Sequence, residues 1–149
     1  MNKIEIEIPE GKKAEWVNSV LTLVDDDVKV RIKTFEDACN ELGENHQYVR
    51  AYREWMRISY VECEDVAAYM KLRIITAALN EGWEPQFVKG ELRWYVWFSK
   101  CVGHVFAHAN GAGSNSYADH GVRLAFRTKE LAEYCGKQFL YIWADYLLK

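Results

Sequence analysis

At 149 residues, 50% of them hydrophobic and 28% charged, the chain has the length of one domain and enough apolar material to bury a core without metals or disulfides. A formal net charge of −3 excludes a chain-wide attraction to nucleic acid or anionic lipid, so such binding needs a local basic patch. The four cysteines, Cys39, Cys63, Cys101 and Cys135, are scattered with no CxxC pair. That argues against a metal cluster or disulfide framework and for reduced thiols in a cytoplasmic protein.

The opening MNKIEIEIPEG alternates Ile and Glu instead of building the apolar run of a secretory signal. The alternation predicts a strand with Ile4, Ile6 and Ile8 on one face, ended by Pro9-Glu10-Gly11. A second strand is expected over residues 20–24, closed by Asp25-Asp26-Asp27, and a third where Val28, Val30 and Ile32 alternate with Lys29, Arg31 and Lys33.

Thr34 and Asp37 have capping-box spacing, and Phe35, Ala38, Cys39 and Leu42 follow at helical intervals before Gly43. In NHQYVRAYREWMRISY, Tyr48, Tyr52, Trp55 and Met56 are helix-spaced beside a stripe of Arg50, Arg53 and Arg57, blunted by Glu44 and Glu54. That stripe reads as a solvated helix face or an oligomer contact.

Residues 64–81 predict the strongest helix of this part of the chain, stopped by Gly82 and by Trp83-Glu84-Pro85. Its run VAAYMKLRIITAAL is broken by Lys71 and Arg73, so no membrane span is expected. LRWYVWFSKCVGHVFAH predicts two strands, residues 92–98 and 102–109, joined near Ser99-Lys100. A polar loop over 110–121 precedes a third strand at 122–127. Thr128 N-caps a last helix with Leu131, Cys135, Phe139, Ile142 and Tyr146 on its core stripe.

The expected architecture is a single α+β domain over residues 1–149. It has an N-terminal β-region, central helices, a three-stranded antiparallel meander, and a C-terminal helix packed on a sheet.

The strings IEIPEG, TFEDACNELG, LNEGWEP, RWYVWF and RLAFRTKELAEYCGKQF, in that order, resemble a family of short uncharacterised proteins found in gut-bacterial phages and integrated elements. The resemblance touches most of the chain and implies a mobile-element origin and an α+β fold. It brings no catalytic residue, cofactor or ligand set. Members often read PWF where this chain has Val96-Trp97-Phe98.

Strand alternation sorts the expected meander into two faces. Leu92, Trp94, Val96, Phe98, Val105, Ala107, Val122, Leu124 and Phe126 make a core face. Arg93, Tyr95, Trp97, His104, Phe106, His108, Arg123, Ala125 and Arg127 make the other. Rings mixed with cations suit nucleotides and single-stranded nucleic acid, because bases stack on aromatic faces while arginine meets phosphate. Residues 90–128 carry four basic side chains against two acidic ones, a local surplus in an acidic chain.

Other chemistry fares worse. On one strand His104 and His108 share a face about 13 Å apart, too far for one ion, even with Cys101, Asp119 and His120 nearby. Gly111-Ala112-Gly113-Ser114 lacks the spacing of a nucleophile elbow, and no Lys follows it as a P-loop requires. Neither Ser116 nor Asp119-His120 has a partner at fixed geometry.

The expectation is therefore a protein without catalytic or metal residues and without a cofactor. It binds a nucleotide-type ligand or single-stranded nucleic acid through Arg93, Tyr95, Trp97, His104, Phe106, His108, Arg123 and Arg127. The rival reading gives the same face to a homo-oligomer or host-protein interface.

Overall fold

The computed structural model describes residues 5–59, 63–86, 88–101, 104–114 and 122–149, with 99–101 and 104–114 described by their backbone. In chain order come β1 (Lys12–Val17), β2 (Val20–Asp25), α1 (Val28–Arg31), α2 (Phe35–Leu42), α3 (Gln47–Ile58), α4 (Glu64–Asn80), β3 (Arg93–Cys101) and β4 (His104–Ser114). A 3-10 turn (Val122–Leu124), α5 (Lys129–Gln138) and α6 (Leu140–Leu148) complete it. The fold is mixed α and β, with β1 paired to β2 and β3 to β4 in two antiparallel ladders. Among the described residues, no helix is long and apolar enough to cross a membrane.

Helix α4 is the central element, packed against α2, α3, α5 and α6. Its second half is buried on nearly every side, from Leu72 through Ile74, Ile75, Ala78 and Leu79, as expected of a helix inside a core rather than on its surface. Ile32, Ala38, Cys39, Val49, Phe126, Leu131, Cys135, Phe139 and Ile142 close around it. The capping box holds: Asp37 N–H donates to Thr34 Oγ1 at 3.1 Å, and Thr34 N–H donates to the Asp37 carboxylate at 2.8 Å. Thr128 likewise accepts from Leu131 N–H at the start of α5.

Several expectations need correction. Glu5 to Pro9 are irregular, and Ile6 and Ile8 are exposed. Alternation fixes the faces of a strand but supplies no partner for its backbone, and here β1 pairs only with β2 among the described residues. Ile4 lies outside the described residues. Val28 to Arg31 form α1 instead of a strand, because Asp27 caps it by accepting from Lys29 N–H at 2.9 Å. The burial follows helical spacing: Val28 and Ile32, four apart, are inside, while Val30 between them is exposed.

The three-stranded meander is not confirmed: among the described residues β3 and β4 form a two-stranded hairpin. β4 runs to Ser114, so Asn110 to Ser114, expected as loop, pair with β3 in the register Trp97↔Asn110, Val96↔Gly111, Tyr95↔Ala112, Trp94↔Gly113 and Arg93↔Ser114. Small residues stand opposite large ones there, which lets the ladder continue beside bulky side chains. Residues 115–121 lie outside the described residues. The segment after them makes one bridge to β3: Trp94 N–H donates to Phe126 C=O at 3.0 Å and Phe126 N–H to Trp94 C=O at 2.7 Å. Leu124, Ala125 and Phe126 are consecutive and all buried, where the 3-10 turn ends at Leu124 and the chain enters its bridge to Trp94, a run that strand alternation cannot produce.

On β3, Trp94, Val96 and Phe98 pack toward the core as expected, and Phe98 meets the Trp143 ring edge-on at 5.7 Å. Leu92, assigned to that face, precedes the strand and is exposed. The last helix is two helices, α5 and α6, which meet at the buried Phe139. Both β3 and β4 lie against α5.

Hairpin β1–β2 is mounted the unusual way round. Lys13, Glu15, Thr22 and Val24 occupy one face and are half-buried, and Lys13 Nζ reaches Glu81 at 3.2 Å. On the opposite face, Trp16 pairs with Leu21 and Ala14 with Leu23. There Trp16 is 74% exposed, with Leu21 and Leu23 exposed beside it. The polar side therefore meets the body and the apolar side meets solvent.

Candidate functional site

Among the described side chains, the expected aromatic and basic face contains both buried and exposed members. Arg93 is 1% exposed, and its Nη1 donates to Glu91 Oε2 at 3.2 Å. Glu91 in turn accepts from Gln86 N–H at 2.8 Å. Arg93 thus holds the entry to β3 together, and its guanidinium is not offered to solvent. Arg127 donates to the Glu81 carboxylate on the exposed side of the α4 terminus.

Tyr95 is half-buried on β3, and Trp97 is 63% exposed further along it. Ala125, placed on the same face by alternation, is buried. His104, Phe106 and His108 have their backbones on β4, but their side chains fall outside the described residues. Among the described side chains, Arg123 alone of the predicted cations is both exposed and next to rings at a shared cavity, and those rings are not on the hairpin.

Arg123 stands at a cavity of about 200 Å³ between α3, α4 and the 3-10 turn, lined also by Tyr48, Thr76, Asn80, Trp83 and Glu84. Each lining group has a local cause. Tyr48 opens α3, where His46 Nδ1 caps the helix by accepting Tyr48 N–H at 3.2 Å. Trp83 follows the α4 terminus and is fixed by its N–H to Asn80 C=O at 3.0 Å.

Asn80, itself buried, clamps the segment that carries Arg123. Its Nδ2 donates to Ala125 C=O at 2.8 Å and its Oδ1 accepts from Arg127 N–H at 3.1 Å. Thr76 is 2% exposed, and its Oγ1 finds no hydrogen-bond partner among the described residues. A buried hydroxyl without a partner costs free energy, about 1 to 3 kcal/mol.

Behind Tyr48 lies a second guanidinium. Arg73 sits 4.0 Å from the Tyr48 ring centroid and 5.8 Å from that of Tyr69. Its Nε is buried without a hydrogen-bond partner among the described residues. Cation–π stacking on two rings stands in for a carboxylate there.

Below this cavity the end of α4 is tied by charge. Glu81 adopts a left-handed backbone, φ 48°, a conformation that costs a residue with a Cβ about 1 kcal/mol or more. Its carboxylate accepts from Arg31, Lys13 and Arg127, with Arg31 Nη2 at 2.6 Å. Arg31 also holds Glu41 at 2.8 Å and the Asp25 carbonyl at 2.6 Å.

Burial alone would raise the Glu81 carboxyl, but the hydrogen bonds from Arg31, Lys13 and Arg127 outweigh it and hold the group below the ordinary glutamate range. With its folded value lowered, the stabilisation from this cluster is complete above the ordinary range and is lost as pH falls through the folded value. The Tm gap between the native chain and Glu81→Gln is therefore expected to be open at about pH 7 and to close below about pH 4. Thermal melts across that range check it; a gap constant with pH would remove the electrostatic account.

The two buried thiols offer no reactive group here. Cys39, Cys63 and Cys135 are free, and burial pushes Cys39 up to about 11 and Cys135 up to about 12, so both stay protonated. Cys101 is described by its backbone only. No group of three or more metal-binding side chains occurs among the described residues.

Sequence reasoning grouped Arg123 with the hairpin, and the structure sets it at a cavity with Tyr48 and Trp83. That reasoning missed Thr76 and Asn80, whose signal was two polar residues inside the apolar run of α4, and it read Trp83 only as part of a helix stop. No protein-family model, no curated protein and no solved structure matches the chain.

Proposed function

We propose that this chain acts by binding, holding a nucleotide-type ligand or one base of a single-stranded nucleic acid, and that it does so in a phage or integrated element, as the sequence resemblance implies. The reading includes sequestration of a host signalling nucleotide. It moves the site from the hairpin face to the cavity at Arg123. One observation carries it: an arginine and two aromatic residues, Arg123, Tyr48 and Trp83, line a single small cavity. A base brings a planar face for Tyr48 or Trp83, while phosphate suits Arg123.

Base stacking on an aromatic ring is worth about 1 to 3 kcal/mol. Trp83→Ala and Arg123→Ala are each expected to weaken nucleotide binding by about tenfold or more with little change in Tm, and Trp97→Ala to leave it unchanged. Calorimetric titration with a nucleotide panel checks this. Loss in Trp97→Ala with none in Trp83→Ala returns the site to the hairpin.

A second reading, an interface with another copy or a host protein, is favoured by the outward apolar face of β1–β2. Exposed apolar patches with polar rims mark such surfaces. Sedimentation velocity over a range of concentrations, repeated with Trp16→Glu, decides whether this face assembles the chain; a single monomeric species throughout removes the homo-oligomer form.

A further inference from the structure

We infer that two copies of the chain join by strand exchange, with Glu5 to Pro9 of one copy adding as a third strand to the open edge of β2 in the other. The inference rests on the second reading above, in which the outward face of β1–β2 is an interface. It names the partner and the way it docks.

The hairpin register shows which backbone groups of β2 are spare. Val17 pairs with Val20 across a two-residue turn, and at the far end Asp26 N–H donates to Gly11 C=O at 2.9 Å. Hydrogen-bonded pairs alternate between those ends, so Leu21, Leu23 and Asp25 turn their N–H and C=O groups away from β1. Arg31 Nη1 takes the Asp25 carbonyl at 2.6 Å. Among the described residues no backbone bond from outside the hairpin reaches Leu21 or Leu23. An open strand edge beside an exposed apolar face is a template for another strand.

Glu5 to Pro9 fit that edge. They are irregular, and Ile6 and Ile8 are about half exposed, at 51% and 47%. Laid antiparallel to β2, Ile8 stands opposite Leu21 and Ile6 opposite Leu23, and each pair exchanges both backbone hydrogen bonds. The isoleucines then extend the apolar face of Trp16, Leu21 and Leu23. Glu7 falls opposite Thr22 and Glu5 opposite Val24, so no like charges face each other. Pro9 falls opposite Val20, a position that asks for no N–H. Slipping by one residue puts the glutamates on the apolar face instead.

The chain cannot supply this strand to itself. Lys12 N–H donates to Pro9 C=O at 3.1 Å, which holds Pro9 beside the start of β1. Val20 lies at the other end of the hairpin, about 16 Å away at roughly 3.3 Å per residue. The edge of β1 is within reach, but there the antiparallel register that meets Ala14 and Trp16 sets Glu7 opposite Glu15. The turn leading into β1 also has Gly11 at φ 76°, the type II form that splays adjoining strands.

Sedimentation velocity on the full chain over a range of concentrations, with amide exchange on the same samples, tests this. The native chain is expected to dimerise, with the Ile6, Ile8, Leu21 and Leu23 amides protected in the dimer and open in the monomer. Ile6→Asp/Ile8→Asp and Ile8→Pro are each expected to weaken the dimer by about tenfold or more. Ile8→Pro keeps an apolar side chain and removes only the N–H donor, which separates strand pairing from apolar contact. Both variants change exposed, irregular positions, so the monomer is expected to keep its Tm. A dimer lost in Trp16→Glu but untouched by either isoleucine variant overturns the exchange while the interface reading stands. Protection of Ile6 and Ile8 already present in the monomer overturns the exchange as well. A single monomeric species at every concentration overturns the exchange together with the homo-oligomer form of that reading.

Discussion

Replacing Asn80 by alanine is expected to lower stability by about 2 to 5 kcal/mol and to abolish nucleotide binding in the same variant. Asn80 Nδ2 and Oδ1 satisfy Ala125 C=O and Arg127 N–H. Removing the side chain strands both backbone groups in a place water does not freely reach, at about 1 to 3 kcal/mol each. The segment they belong to carries Arg123, so a loosened clamp also misplaces the cation at the cavity.

Asn80→Asp separates the two bonds: its carboxylate still accepts from Arg127 N–H but cannot donate to Ala125 C=O. Urea unfolding and calorimetry on both variants check the coupling. Stability lost without any change in affinity would show that Arg123 is held in place by something other than Asn80.

Arg93→Met is expected to cost about 3 to 5 kcal/mol, because it leaves the carboxylate of Glu91, 11% exposed, without its buried cation. The double variant Arg93→Met/Glu91→Gln is expected to recover part of that loss, since the uncompensated charge goes with it. Nucleotide affinity is expected to stay unchanged in any variant that folds. Unfolding midpoints around this double-mutant cycle give the coupling directly. Additive losses would mean that Arg93 acts through packing rather than through its pair with Glu91, and weakened binding in a stable Arg93 variant would restore it to the ligand site.

Arg93 also marks where the sequence stops being informative. Alternation correctly placed Trp94, Val96 and Phe98 on the core side, because side-chain period is a property of the strand itself. What covers the other side is a property of distant segments, so nothing in RWYVWF distinguishes a buried arginine from an exposed one. The local signals were readable for the same reason: Thr34 with Asp37, and Thr128 with the turn after it, make their bonds within three residues.

Between these extremes lies VKVRI. Val28, Val30 and Ile32 together fit strand spacing while Val28 and Ile32 also fit one helix turn, and the Asp27 cap settled the matter. The cavity was least legible. It needs α3, α4 and the 3-10 turn to meet, and 3-10 geometry turned Arg123 away from the residues that alternation had given it.

The reversed mounting of β1–β2 makes ionic strength a two-way control. Its tie to the body runs through exposed ion pairs such as Lys13 with Glu81, which added salt screens. Its outer face is Trp16, Leu21 and Leu23, whose tendency to leave water is strengthened by salts such as sulfate. One change in solvent therefore loosens the hairpin from its own chain and favours its adhesion to another surface, so the same ion pairs that anchor it also set how readily it lets go.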